Sequence, residues 1–158
     1  MVKIVEITPE HKKAVNDLIK REWGGPMSVS RGRIWDTSVL PGFVALDEDR
    51  FCGVVTYRIE GDECEIVTLN SLQERRGIGT ALINAVIDVA KANSCRRLWL
   101  ITTNDNTRAI RFYQRFGFSL RAVHINAMDE ARKLKPSIPL VGNDDIPIQH
   151  EFEFEIML

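Results

Sequence analysis

The stretch LNSLQERRGIGTALINAVIDVAKAN, from Leu69 to Asn93, constrains the fold more than any other part of the chain. It opens on the end of an apolar run that predicts a strand. It then crosses a polar loop holding Arg75, Arg76, Gly77 and Gly79. Beyond the loop, apolar residues recur at Ile78, Ala81, Leu82, Ala85, Val86, Val89 and Ala90. That i, i+3, i+4, i+7 spacing predicts a helix with one buried face, and Asn84, Asp88 and Lys91 fall on the opposite side. A further apolar run, Arg97 to Thr102, predicts the next strand. A strand–helix–strand passage normally makes its two strands parallel.

The loop has the chemistry of an anion site. Glycines let the backbone approach a ligand closely. The free N–H groups and partial positive charge of a helix N-terminus suit phosphate, and arginines pair with phosphate oxygens. A plain strand-to-helix turn with a solvated arginine pair fits the same residues. Two nucleotide motifs fail outright. A P-loop requires Lys-Ser/Thr where Thr80-Ala81 stands, and a dinucleotide fingerprint requires a third glycine where Leu82 stands.

The remaining chain supplies the other elements. Val2 to Ile7 alternates as a strand. Thr8-Pro9-Glu10 then gives a cap, a proline at the first helical position and an early acid. Ala14, Val15, Leu18 and Ile19 form the buried stripe of a helix that Gly24-Gly25-Pro26 stops near Trp23. Residues 24–41 read as a short helix packed by Ile34 and Trp35, and the alternative is an aromatic and basic loop in which Arg31, Arg33 and Trp35 form a ligand wall. Strands over Phe43–Leu46, Phe51–Ile59 and Glu63–Asn70, joined by short polar turns, predict an antiparallel meander. After the helix from Gly77 and its following strand, a helix carries Ala109, Phe112, Tyr113 and Phe116 on one face and ends at Gly117. Phe118–Ile125 predicts a strand, Ala127–Leu134 a weak helix, 136–147 a loop, and Gln149–Met157 a last strand.

A chain of 158 residues fits one domain spanning 1–158. Its net charge of −1 gives no reason to expect a nucleic acid or an anionic membrane as partner. No apolar run approaches a membrane span or a signal-peptide core. Cys52, Cys64 and Cys95 are odd in number and lack metal or redox spacing. They read as small buried hydrophobes in a reducing compartment, most simply the cytoplasm. No metal constellation appears, and His11, His124 and His150 look solitary.

Two motifs together resemble the GNAT superfamily of acyl-CoA-dependent N-acetyltransferases. Arg75-Arg76-Gly77-Ile78-Gly79-Thr80 looks like its pyrophosphate loop, Q/R-x-x-G-x-G/A. Asn106-x-x-Ala109-x-x-x-Tyr113-x-x-x-Gly117-Phe118 looks like its following segment. One position departs: the family's Gln or Arg falls on Glu74. The resemblance implies an α/β (α+β) domain with a mixed central sheet, an antiparallel N-terminal meander, a splayed parallel strand pair and helices on both faces. It further implies acetyl-CoA as co-substrate and no metal. Leu69 would offer main-chain groups to the pantetheine arm, with Asn70 and Ser71 beside it. The backbone of residues 75–80 (Arg75, Arg76, Gly77, Ile78, Gly79, Thr80) would hold the pyrophosphate, and Asn104 and Asn106 would sit at the mouth of the gap.

The chemistry implied is attack of a neutral amine on a thioester carbonyl. An alkyl ammonium of pKa ~10.4 must lose a proton first. Glu65 is the candidate base, with Glu63 second, because strand alternation puts Glu63, Glu65, Val67 and Leu69 on one face. An exposed strand charge is the plain alternative. Tyr113 matches the family tyrosine that protonates the leaving thiolate, and a core aromatic is the alternative there. Residues around Trp23 to Trp35, His124 and 126–149 would form the acceptor groove, where Arg31 or Arg33 could hold a carboxylate and Asp36 an amine. The acceptor is a small-molecule or peptide amine, and the pattern leaves a homodimer open. A non-catalytic acyl-CoA-binding module is the competing class.

Overall fold

The computed structural model describes residues 1–72 and 77–158. Its strands are β1 (Val2–Glu6), β2 (Met27–Ser30), β3 (Arg33–Asp36), β4 (Gly42–Asp47), β5 (Arg50–Glu60), β6 (Glu63–Ser71), β7 (Arg97–Thr103), β8 (Ser119–His124) and β9 (Glu151–Met157). The helices are α1 (Lys12–Trp23), α2 (Ile78–Ala92), α3 (Thr107–Phe116) and α4 (Ala127–Leu134). Seven strands form one mixed sheet in the order β1-β4-β5-β6-β7-β9-β8, and β2 with β3 forms a separate hairpin. Every pairing in the large sheet is antiparallel except β6 with β7. The strand–helix–strand passage through α2 is what makes that pair parallel.

The central strands are apolar on both faces because both are covered. On one side, Ile78, Leu82, Ile83, Val86 and Ala90 of α2 and Tyr113 of α3 pack with Phe43, Ala45, Val55, Cys64, Ile66, Leu98, Leu100 and Phe154. On the other, Val15, Leu18 and Ile19 of α1 pack on Val44 and Val54. Neighbouring residues of one strand therefore serve opposite cores. Burying each Leu or Ile fully stabilises by roughly 1.5–3 kcal/mol. The three cysteines are buried and not joined in disulfides, as small apolar side chains would be.

Two expectations are corrected. Residues 27–36 form the β2–β3 hairpin rather than a short helix, followed by a 3-10 turn over Thr37–Val39. The cause is local: Arg31 (φ 50°) and Gly32 (φ 73°) are both left-handed, as a two-residue type I′ turn requires. The shared face of Glu63, Glu65, Val67 and Leu69 is also wrong. Tyr57 pairs with Ile66 and Thr56 with Thr68, so Val67 is an extra residue, a β-bulge. Cys64, Ile66 and Leu69 consequently pack on the α2 side. Glu65 meets Ser30 of the hairpin, and Asn70 meets Trp23 of α1, so both point the other way.

Candidate functional site

The sheet opens at its centre. The β6–β7 register runs from Glu63↔Arg97 to Ile66↔Leu100. Beyond it β6 continues to Ser71 on β5, and β7 continues to Thr103 on β9. The bulge at Val67 lies where the two strands part. Leu69 is half-buried in the gap-side core, and Ser71 is half-buried beyond it. Asn70 Oδ1 accepts from Trp23 Nε1 at 2.8 Å, which ties the end of α1 to the diverging strand.

Helix α2 begins after the gap. Gly77 is its N-cap in the left-handed region (φ 71°, ψ 14°), with no side chain capping the first turn. The N–H groups of a helix first turn and the helix dipole suit an anion. Ile78 is buried at 2% exposure, so only its backbone faces outward. A Cβ on Gly79 would lie 3.1 Å from Phe112 Cζ, so this glycine also lets α2 approach α3. Thr80 is exposed. Arg75 and Arg76 lie outside the described residues, as do Gln73 and Glu74.

At the start of α3 the two asparagines divide their work. Asn106 is the N-cap by position, but its side chain does not cap. Its Nδ2 donates to Thr102 Oγ1 of β7 at 3.2 Å. Asn104 is used as a loop anchor. Its Oδ1 accepts from the N–H groups of Gln149 and His150, and its Nδ2 donates to Pro147 O. An open cleft of about 540 Å³ lies between Asn106, Thr107, Arg108 and Arg111 on one side and Asn143 and Asp144 on the other. The arginine pair at i, i+3 is a basic feature that sequence reading passed over; its spacing on a recognised helix was the available signal.

Tyr113 is buried at 9% exposure among Phe112, Phe118 and Phe154. Burial pushes its phenol well above the usual tyrosine range. A phenol in that state holds its proton firmly and acts as a hydrogen-bond donor.

The face opposite α2 and α3 is charged. Glu65 is 1% exposed, and both its oxygens are engaged. Ser30 Oγ donates to Oε2 at 2.5 Å and Arg58 Nε to Oε1 at 2.6 Å. Burial raises the carboxyl, while the Ser30 hydroxyl and the Arg58 guanidinium pull it down. Glu65 therefore clamps the hairpin to the sheet. Arg58 and Arg33 lie over the Trp35 ring at 4.1 and 4.4 Å and extend the clamp. Arg33 is spent on Glu60 at 2.9 Å. Asp36 accepts from the backbone N–H and hydroxyl of Ser38, so it caps a turn. Along β9, Glu151, Glu153 and Glu155 pair with Thr103, Ile101 and Trp99 and so share this face.

The family model for the Acetyltransferase (GNAT) family matches residues 12–118. The chain belongs to the GNAT acetyltransferase family. It is 45% identical over 145 residues to the uncharacterized protein YdhI of Bacillus subtilis, with 90% of each chain covered. It is 33% identical over 145 residues to N-alpha-acetyltransferase 30 of Schizosaccharomyces pombe, covering 84% of this chain and 96% of that one. Among solved structures, Arabidopsis thaliana NAA60 in complex with acetyl-CoA superposes with a TM-score of 0.73 at 17% identity, covering 100% of both chains. At that identity the match concerns the GNAT fold, including its mixed sheet.

Proposed function

We propose that the protein is an N-acetyltransferase that moves an acetyl group from acetyl-CoA to a primary amine by direct attack. The observation that carries this is the opening of the sheet beyond Ile66 and Leu100, with the uncapped start of α2 following directly on the diverging strand. An extended pantetheine arm can pair with the backbone of Leu69 as an added strand would, with Asn70 and Ser71 alongside. The N–H groups of Gly77, Ile78, Gly79 and Thr80 suit the pyrophosphate, and Arg75 and Arg76 are proposed to join them. Asn106, Arg108 and Arg111 line the cleft proposed for the nucleotide end. Family membership and an acetyl-CoA complex in a protein of the same fold support the reading.

Tyr113 is proposed to donate a hydrogen bond to the sulfur. A thiolate of a thiol with pKa ~8.5 leaves fairly well unaided. A phenol held above its normal range does not give up its proton to such a thiolate outright. Its contribution is to stabilise charge growing on sulfur. The amide nitrogen's second proton then neutralises the thiolate. Glu65, the carboxylate expected as base, is enclosed, with its oxygens bonded to Ser30 and Arg58.

That enclosure of Glu65 is also what favours the competing class, an acyl-CoA-binding module without turnover. Thiol release from acetyl-CoA separates the two. The panel should hold small amines, amino acids, peptides with free N-termini and N-blocked lysine peptides. Amine-dependent release supports the transferase. Tight acetyl-CoA binding with no release for any amine makes it a binding module.

A further inference from the structure

We propose that Glu151 is the group that receives the acceptor: its carboxylate binds the incoming ammonium and takes its proton. The inference rests on the acetyltransferase reading and assigns the amine half of that site.

Three glutamates stand at i, i+2 and i+4 along one face of β9. Two are neutralised by the chain. Arg97 donates Nε to Glu155 at 2.6 Å and Nη2 to Glu153, and His124 Nε2 lies 2.9 Å from Glu153 Oε1. Glu151 is treated differently. Its side chain is 3% exposed; burial raises its carboxyl, and the backbone N–H and guanidinium of Arg31 lower it by hydrogen bonding. Its one ion-pair contact among the described residues is Arg31 Nη1 at 3.6 Å.

A buried carboxylate is costly unless donors surround it, and Glu151 has the half-exposed Arg31 where its neighbours have Arg97. The Arg97 donors are spent one and two pleats away. The member left to Arg31 also sits at the open end of the gap. Glu151 pairs with Thr103, three residues beyond the last residue of β7 that is joined to β6. It faces the hairpin side, opposite α2 and α3, so an amine meeting it would approach from the side away from the helix that starts the cofactor site. An ammonium satisfies the carboxylate in charge and in hydrogen bonds. Burial holds the Glu151 carboxyl above the usual range, with Arg31 and His124 pulling it down, so it is a stronger base than a surface glutamate.

The step balances as follows. The substrate ammonium gives one proton to Glu151. The neutral amine attacks the thioester carbonyl, forming C–N, and the C–S bond breaks. The second nitrogen proton ends on the sulfur, and Glu151 returns its proton to solvent. Arg31 on the hairpin tip, His124 on β8 and Glu153 on β9 are the charged groups that face Glu151.

The test uses the full chain, acetyl-CoA and whichever amine of the panel turns over best. Glu151→Gln should lower kcat/KM by about 10²-fold or more at pH 7, within the range for acid–base groups. The loss should shrink as pH rises toward the amine's pKa of ~10, and acetyl-CoA affinity should hold. A carboxyl whose folded pKa is raised contributes stability below its unfolded pKa and loses it as pH rises through the folded one. Gln removes that loss, so Glu151→Gln should melt at or above the wild-type temperature at pH 7. Arg31→Ala removes the cation that lowers Glu151 and should move the acid limb of kcat/KM to higher pH. Several results overturn the assignment: a wild-type pH profile in Glu151→Gln, a variant that melts lower or fails to fold, or an Arg31→Ala loss equal to that of Glu151→Gln. The last two mark Glu151 as half of a structural pair. If the wild type turns over no amine, the transferase reading fails first and this one falls with it.

Discussion

Arg97 makes the sharpest stability prediction, because one guanidinium holds three carboxylates from two strands. Its side chain is 16% exposed. It donates Nη1 to Glu63 at 2.9 Å, Nε to Glu155 at 2.6 Å and Nη2 to Glu153. Arg97→Met keeps the stem over Trp99 and removes the charge. Glu63, at 46% exposed, regains water and contributes little. Glu153 and Glu155, at 14% and 18%, lose their Arg97 bonds in partly buried positions, keeping among the described residues only His124 at 2.9 Å and Arg121 at 3.9 Å. Hydrogen bonds to charged groups are worth ~1.5–3 kcal/mol each. Two of them, discounted for the water that reaches these sites, give a loss of about 3 kcal/mol. For a domain of this size that lowers Tm by about 6–12 °C. The pH dependence has a definite sign. The guanidinium and His124 hold Glu153 below its usual range. Its stabilisation is therefore present above the unfolded pKa and lost as pH falls through the folded one. The gap between wild type and variant should be widest at neutral pH and close in acid. Calorimetry at pH 7 and pH 4 reads this. A variant within about 2 °C of wild type at pH 7, or a gap that widens in acid, refutes the reasoning.

Three further predictions concern the site. Gly77→Asp places a carboxylate at the cap of α2, in a left-handed position that costs a non-glycine residue ~1 kcal/mol; calorimetric titration should show acetyl-CoA affinity lost with the fold kept, and unchanged affinity removes the pyrophosphate assignment. Tyr113→Phe keeps the ring among Phe112, Phe118 and Phe154; turnover should fall by no more than the low end of the ~10²–10⁴-fold range with cofactor affinity kept, and wild-type turnover with chemistry rate-limiting would leave the ring as packing alone. Glu65→Gln should give a pH–rate profile parallel to wild type, since its oxygens hold Ser30 and Arg58; a loss that grows as pH falls would return the base role to Glu65.

What the sequence determined by itself was local. The apolar period of residues 78–90 made α2, the glycines marked its start, and Thr8-Pro9 and Gly117 bounded other helices. Short polar turns made the meander, and the crossover made β6 and β7 parallel. These signals lie within a few residues of the structure they specify, so a single chain displays them. Even the β2–β3 hairpin had such a signal in Arg31-Gly32, masked by two strands of only four residues each. Tertiary structure decided the rest. The bulge at Val67 exists only in the register of β6 against β5, and it reverses which face Leu69 takes relative to Glu65. Asn104 and Asn106 sit two residues apart, yet one anchors the loop before β9 and the other turns to β7. EFEFEIM announces three glutamates on one face. That Arg97, more than fifty residues earlier, satisfies two of them and leaves Glu151 to Arg31 follows from strand order, because charge pairing across a sheet is set by which strands become neighbours.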